Sequence, residues 1–361
     1  MRNARKTRRR SVKIGLPAAL VTLLLALVVA GCGGGGGDTG SGTSSSDTSS
    51  SGSSSSGGAK LDIVGYSTPE SVYAEALEPA FEKSPDGKGV TFSNSFGASG
   101  DQSRAVAAGQ PASIVHFAQA GDMERLVEEG ELVAKDWDKQ PFGGIGADSV
   151  VVMQVRKGNP KGLHSFADLV NKDVEVITPN PASSGSARWN IMAIYGSALE
   201  EGKSPDQALA DVKTVLEKTI AQPGSARDAG SVFGQGQGDV LLAYENEAIR
   251  AVEEGEDVEY VIPPSTILIE TPIAVTEAAP EPAAENFLKW MWSDEGQEIW
   301  AEHGYRPVNP KLVDPKQFPT PKDLFKIAKF GGWAKVKEEF FEEGTGSVTK
   351  IEEELGVSTT G

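Results

Sequence analysis

The sequence predicts an α/β protein whose folded part has two lobes. Strand-like apolar runs alternate with helix-like segments along the chain from residue 61 onward. About 300 residues follow that point, which is too many for one ordinary hydrophobic core and comfortable for two. The chain contains no internal repeat of fixed period. These observations together predict two α/β lobes.

The N-terminus is typical of an exported protein. Seven Arg and Lys residues, without any acidic residue, precede the apolar stretch Ile14–Ala30, which is the pattern of a signal peptide. The stretch ends in V-A-G-C (29–32), where Cys32 is the only cysteine of the chain. These four residues resemble the bacterial lipobox, which implies that residues 1–31 are removed and that Cys32 carries the lipid.

Two alternatives remain open for this leader. The 17 residues from Ile14 to Ala30 reach the lower limit of a single transmembrane helix. The run T-R-R-R-S-V-K (7–13) also resembles a twin-arginine export signal, so the export route stays undecided. In either case the folded part is expected outside the cytoplasm, held at the outer face of the cytoplasmic membrane.

A low-complexity tract and a strongly acidic charge follow the leader. Every residue from Gly33 to Gly58 is Gly, Ser, Thr or Asp, so residues 32–59 are predicted to be a disordered tether with a reach of about 28 Å. The chain has 34 Lys and Arg against 51 Asp and Glu, and loss of the seven basic leader residues leaves a net charge of −24. Nucleic acid is therefore excluded as a partner, because its affinity comes from clustered Lys and Arg.

The alternation of strands and helices can be followed along the chain. The strand-like runs are predicted at residues 61–66, 90–93, 150–155, 174–178, 239–243, 258–262 and 266–269. The helix-like runs are predicted up to Phe81 and at residues 101–108, 187–199, 245–253, 282–292 and 294–303. His116, within I-V-H-F (114–117), is expected to pack beside the sheet of the first lobe.

Three strand-to-helix loops are rich in small and hydroxyl residues: F-G-A-S-G-D-Q-S (96–103), N-P-A-S-S-G-S-A-R-W-N (180–190) and P-G-S-A-R-D (223–228). Each presents free backbone N–H groups and Ser hydroxyls at the positive end of a helix, where an anion finds donors. An ordinary Ser or Asp N-cap explains any one of these loops equally well. Three of them in a chain without a catalytic constellation favour an anion-binding protein.

Enzymatic and metal-dependent functions have little support. The chain has three histidines, none of which lies in the Ser-rich loops, and it contains no G-x-S-x-G motif. A single cysteine within a leader and scattered histidines do not match the spacing of metal ligands. We therefore expect no enzyme activity, no cofactor and no metal.

Several motifs resemble the sulfate-binding proteins of bacterial ABC importers. They are V-I-T-P-N-P (176–181), S-S-G-S-A-R-W-N (183–190), R-K-G-N-P (156–160), E-N-E-A (245–248), S-D-E-G-Q-E (293–298) and F-G-G-W (330–333). The lipobox and F-G-A-S-G-D-Q-S-R are similar to the actinobacterial lipoprotein branch of that family. The resemblance implies a two-lobed periplasmic-binding-protein-like (type II) fold in which sulfate lies in a cleft that closes about a hinge.

The resemblance also implies the site and the partners. Sulfate would be bound by seven residues: Ser67, Ser99, Ser184, Gly185, Ser186, Ala226 and Tyr244. Arg188 and Arg227 would support the loops from behind. Ser67 and Tyr244 replace an Asp and a Trp that relatives carry, and a phenol, like an indole, can donate a hydrogen bond. The monomeric chain would deliver sulfate to a membrane permease and its ATPase.

Lobe 1 is predicted at residues 60–152 and lobe 2 at residues 153–262, and residues 263–361 are predicted to hold the return of lobe 1 and the C-terminal helices. Thiosulfate, molybdate and phosphate remain alternatives to sulfate. Phosphate carries a proton and favours a site with a carboxylate acceptor, for which Asp101, Asp228 and Glu245 are the candidates. We expect Asp101 to face solvent or Arg104 in the first turn of its helix.

Overall fold

A computed structural model describes residues 58–279 and 282–360 of the chain. The predicted signal peptide, Cys32 and most of the tether lie outside the described residues. Within the described part, no helix is both long enough and apolar enough to cross a bilayer.

Ten strands form within the described residues. They are β1 (Lys60–Tyr66), β2 (Thr91–Gly97), β3 (Ile114–His116), β4 (Ile145–Arg156), β5 (Val176–Ile177), β6 (Thr219–Ala221), β7 (Val240–Tyr244), β8 (Val258–Val261), β9 (Ser265–Val275) and β10 (Asp323–Phe325). The predicted strands all fall on observed ones, although β2, β4 and β9 are longer than predicted.

Helices alternate with these strands. The first helical stretch joins α1 (Glu70–Val72), a π-helical turn (Tyr73–Leu77) and α2 (Glu78–Lys83). The others are α3 (Ser99–Ala107), α4 (Ala120–Glu128), α5 (Phe166–Asn171), α6 (Gly185–Glu200), α7 (Pro205–Glu217), α8 (Ala226–Gly234), α9 (Glu245–Glu253), α10 (Ala283–Met291), α11 (Asp294–Glu302), α12 (Gly332–Val336) and α13 (Ser347–Glu354). The α/β prediction is confirmed, and α9 has the predicted bounds.

The sheet has two parallel halves joined by two long antiparallel strands. Its strand order is β2-β1-β3-β9-β4-β7-β5-β6, with β10 added to β9 and β8 added to β4. Strand β9 pairs with β3 at residues 273–275 and with β4 at residues 268–272. Strand β4 leaves β9 at Val150 and pairs with β7 from Val151 onward. These two strands therefore link the halves, and they are where a hinge would lie.

Each half has its own buried core. In the first half, Tyr73, Phe81 and Trp300 pack together around β1 and β3. In the second half, the apolar face of α6 packs with α7 and with the C-terminal helices α12 and α13 around Trp189 and Trp333. The C-terminal helices therefore pack on the second half of the sheet.

Candidate functional site

Helix N-termini from both halves meet between the two cores. Helix α3 follows β2 in the first half, whereas α6, α8 and α9 follow strands of the second half. The first N–H groups of a helix have no acceptor inside it, and they carry the positive end of the helix dipole. The three Ser-rich loops of the sequence form three of these termini, at Ser99, Gly185 and Ala226.

The loops before α3 and α6 are in direct contact. The Gly100 N–H donates to the Ser183 carbonyl at 2.9 Å. A side-chain carbon placed on Gly185 would lie 2.7 Å from Ala118 Cβ, so the backbones approach as closely as only glycine allows. Behind this contact, the Trp189 indole N–H donates to the Ala118 carbonyl at 2.6 Å. The two halves are thus closed upon each other at this point.

A second set of contacts closes the other side of the site. The Arg227 guanidinium, at the start of α8, donates to the Thr68 carbonyl at 2.6 Å. This contact holds the loop that contains Ser67 against the second half of the sheet, and the Ser67 side chain is buried there. Nearby, the rings of Tyr66 and Tyr244 lie 6.2 Å apart. Every residue predicted to bind sulfate therefore lies on one of the segments that meet here.

Besides Arg227 Nε, four uncharged polar groups at this junction are buried and have no hydrogen-bond partner among the described residues. They are Tyr66 Oη, Gln119 Nε2, Ser186 Oγ and Tyr244 Oη. Buried polar groups in proteins almost always have a partner, so several donors that the protein itself leaves unpaired at one place suit a bound acceptor. An anion with several oxygens would satisfy them.

Both tyrosines are donors at neutral pH. Burial raises the pKa of the Tyr244 phenol well above its ordinary value, while the neighbouring Ser186 hydroxyl opposes the shift. Burial likewise raises the pKa of Tyr66. Both phenols therefore keep their protons over the whole physiological range. They offer O–H donors without adding a negative charge that would repel an anion.

The three carboxylates that favoured phosphate are all engaged elsewhere. Asp101 is exposed and pairs with Arg104, which confirms the expectation for its orientation. Asp228 is exposed in the first turn of α8, where it accepts a hydrogen bond from the Ser225 hydroxyl at 2.7 Å. Glu245 is fully buried, and both of its oxygens are bound by Arg306, at 2.6 and 2.9 Å. None of the three has an orientation that suits a ligand proton.

Asp122 is a buried carboxylate near the site that the sequence analysis missed. It accepts the Ser99 hydroxyl at 2.7 Å, and Arg125 lies 3.4 Å from its other oxygen. The Ser99 oxygen in turn accepts the Ala118 N–H at 2.9 Å. Because the hydroxyl hydrogen of Ser99 is already donated to Asp122, the backbone N–H is the donor that Ser99 can offer to a ligand.

Gln119 is the other functional candidate that the sequence analysis missed. Its side-chain oxygen caps α4 by accepting the Gly121 N–H at 2.8 Å, which leaves the amide nitrogen as the unpartnered donor. Its Cγ lies 3.1 Å from where a side chain on Gly185 would begin. The sequence shows only that F-A-Q-A-G (117–121) joins a strand to a helix, as the other three loops do, and it does not show that Gln119 comes close to Gly185.

The two arginines differ in their surroundings. Arg188 donates through Nε to the Pro181 carbonyl at 2.9 Å, from behind the loop that precedes α6. Burial lowers the pKa of its guanidinium, which nevertheless remains charged at neutral pH. Arg227 lies between the two halves, with its Nε 3.3 Å from a carboxylate oxygen of Glu247. Its charge is therefore partly balanced by a buried carboxylate.

His116 is packed beside the sheet, as expected. The Tyr73 hydroxyl lies 2.9 Å from its Nδ1, and the Thr271 hydroxyl lies 3.1 Å from its Nε2. Thr271 donates its hydrogen to the Ala147 carbonyl, so Nε2 is the protonated ring nitrogen. Burial lowers the pKa of His116 to about 3, so it is neutral at physiological pH. In the described part of the chain, no group of acidic, His or Cys side chains is arranged to hold a metal.

Comparison with known proteins gives consistent matches. The family model described as bacterial extracellular solute-binding protein matches residues 61–306. The chain is 37% identical to a sulfate-binding protein of Synechococcus elongatus, over 79% of this chain and 84% of the relative. It is 36% identical to a thiosulfate-binding protein of Pseudomonas aeruginosa, over 78% and 89%.

A solved structure is also similar. It is the sulfate-binding protein SubI from Mycobacterium tuberculosis, with 42% identity and a TM-score of 0.76. The match covers 79% of this chain and all of that structure. The similarity therefore extends over both halves of the sheet and the junction between them.

Proposed function

Because the chain belongs to the family of bacterial extracellular solute-binding proteins, we propose that it binds sulfate between its two lobes. Like its relatives, the chain is a binding protein and not an enzyme. The observation that carries the proposal is the group of buried, unpartnered, uncharged donors at a junction where each nearby carboxylate already has a hydrogen-bond or ion-pair partner from the protein. Sulfate has no proton at neutral pH, so it needs donors on every side and no acceptor.

The acidity of the protein does not oppose this binding. Its net charge is screened over a Debye length of about 8 Å in physiological salt, whereas hydrogen-bond donors act at about 2.9 Å. Roughly seven charge-assisted hydrogen bonds of about 1.5–3 kcal/mol each exceed an association cost of about 4–15 kcal/mol. Dissociation constants in the micromolar range or below are therefore expected.

Binding of radiolabelled sulfate by equilibrium dialysis tests the proposal. We expect one sulfate per chain, displaced by unlabelled sulfate. Thiosulfate is the second candidate ligand, because thiosulfate-binding relatives match nearly as well as sulfate-binding ones. Displacement by thiosulfate at a lower concentration than by sulfate would favour this second candidate, and no saturable binding would contradict both.

Tyr244 is proposed as a ligand donor in place of the tryptophan of relatives. Replacing Tyr244 by Phe removes the phenol O–H and leaves the ring packing. Sulfate should then bind about 10- to 150-fold more weakly, since a hydrogen bond to a charged group contributes about 1.5–3 kcal/mol. Calorimetric titration measures the change. Tyr195→Phe is the matched control, since Tyr195 packs against Phe340 on the far side of α6. If Tyr244→Phe binds sulfate as the parent does, the assigned role is wrong.

Beyond sulfate binding, we propose that the protein is a lipoprotein that delivers its ligand to an ABC importer. Cys32 would be diacylated after removal of residues 1–31, and the tether would let the folded part meet the permease. A tether of roughly 28 Å would keep the folded part close to the membrane and so raise the effective concentration of the binding protein there. The lipid thus serves transport, and it is separate from ligand recognition.

Replacing Cys32 by Ala separates these two roles. Sulfate binding by the purified chain should be unchanged, because Cys32 is not one of the residues proposed to bind sulfate. Sulfate uptake by cells carrying only this variant should fall several-fold, because the protein is no longer confined to the membrane. Uptake and membrane fractionation are measured together. Full uptake with the protein in the medium would contradict the anchoring role.

A further inference from the structure

The C-terminal segment, Ser347–Thr360, lies beside the ligand loops of the second half. It consists of α13 and the six residues after it, and it lies beyond residues 61–306, which the family model matches. Val348 and Ile351 anchor it in the core of that half. A cavity of about 360 Å³, lined by Pro181, Ala182 and Ser358, lies between the segment and the loop before α6. Because of this cavity, the loop before α6 is not packed closely against the C-terminal segment. Hydrogen bonds therefore hold the two together.

The first of these hydrogen bonds is made by Asn180. Its side-chain N–H donates to the Ser358 carbonyl at 2.9 Å, while its side-chain oxygen accepts the Ala182 N–H at 2.7 Å. Its backbone carbonyl accepts the Ser184 N–H at 2.9 Å, and its N–H donates to the Pro223 carbonyl at 2.8 Å. One residue therefore joins the C-terminal segment to both Ser-rich loops of the second half.

A second bridge reaches the loop before α8. The Gln222 amide donates to both oxygens of Glu352, at 3.0 and 3.2 Å. Glu352 is 1% exposed, and burial raises its pKa, whereas the hydrogen bond from Gln222 opposes the shift. A buried carboxylate paired with an amide contributes little to stability, because its desolvation is costly. Such a contact is better explained by positioning than by stabilisation.

The two loops are also joined to each other. The Ser183 hydroxyl donates to the Gly224 carbonyl at 2.7 Å. The loops and the C-terminal segment thus form one hydrogen-bonded unit that sets the spacing between the N-termini of α6 and α8. We propose that the C-terminal segment is a positioning element of the sulfate site, an inference that rests on the proposed function.

Two truncations test the contact with Asn180. Ending the chain after Gly356 removes the Ser358 carbonyl, and sulfate should then bind about 3- to 10-fold more weakly, as expected for one lost hydrogen bond. Ending it after Thr359 is the matched control, because the Ser358 carbonyl remains, and its affinity should stay within about twofold of the full chain. The thermal midpoint of both ligand-free chains should match that of the full chain.

An exchange of side chains tests the second bridge. Glu352→Ala should weaken sulfate binding about 3- to 10-fold. The double variant Gln222→Glu with Glu352→Gln reverses the donor and acceptor, and it should restore most of the affinity. Equal binding by the full chain and the chain ending at Gly356, or no recovery in the double variant, overturns the inference alone. Absence of sulfate binding by the full chain overturns the proposed function and this inference with it.

Discussion

Replacing Gly185 by Ala should weaken sulfate binding about 5- to 150-fold and leave the fold intact. A methyl group on Gly185 would lie 2.7 Å from Ala118 Cβ and 3.1 Å from Gln119 Cγ. Ala118 Cβ is attached directly to the backbone, so the contact is relieved only if the two halves move apart. Overpacking of this kind costs about 1–3 kcal/mol, which corresponds to the expected loss of affinity.

The ligand-free protein should tolerate this change, because Gly185 begins α6 and alanine favours helices. Calorimetric titration with sulfate and thermal unfolding without it measure the two effects separately. Gly230→Ala is the matched control, since Gly230 lies in α8 and no atom lies within 4 Å of the added methyl group. Unchanged sulfate affinity in Gly185→Ala would show that this close approach is not required for binding.

Among the substitutions considered, breaking the Glu245–Arg306 ion pair should cause the largest loss in the free energy of unfolding. Glu245 is fully buried and Arg306 is 5% exposed, and Arg306 also donates to the Pro319 carbonyl at 2.9 Å. Arg306→Met leaves the Glu245 carboxylate buried without its cation. Removal of one partner from a buried pair costs about 3–5 kcal/mol, and the free energy of unfolding should fall by that amount.

Urea denaturation at neutral pH measures this loss. The double variant Glu245→Leu with Arg306→Met should recover most of it, because neither charge is then left unpaired. A loss below about 1 kcal/mol in Arg306→Met would contradict the assigned role, since an exposed pair contributes no more than that. The pair joins α9 to the segment that bridges to Asp148 of β4, so it holds the second half to the linking strands.

The elements were predictable where periodicity is strong. Helix α9 begins and ends at the predicted residues, because E-N-E-A-I-R-A-V-E has a clear apolar face and follows a buried strand. Strand β4 was predicted only from Val150, since I-G-A-D-S (145–149) has neither the alternation nor the apolar run of a strand. These residues are held in β4 by pairing with β9, more than 100 positions later in the chain.

The sequence predicted which loops form the site, but it did not predict the contacts between residues that lie far apart in the chain. Ser-rich strand-to-helix loops mark three of the meeting segments, because free N–H groups at a helix start follow from local sequence. Gln119 and Asp122 were missed, since their roles depend on Gly185 and Ser99 being brought to them by the closed fold. The hydrogen bond from Trp189 to Ala118 likewise joins residues 71 positions apart, which no local pattern reveals.

The central claim is that uncharged donors at a closed interlobe junction select a proton-free dianion. Calorimetric titration with sulfate and with phosphate, at about pH 6 and about pH 8, tests it most directly, because phosphate changes its protonation within that range. Sulfate should bind with micromolar or tighter affinity at both pH values. Phosphate should bind at least about 100-fold more weakly, since its proton finds no free carboxylate and leaves a donor unpaired. Tighter binding of phosphate than of sulfate at either pH would contradict the account.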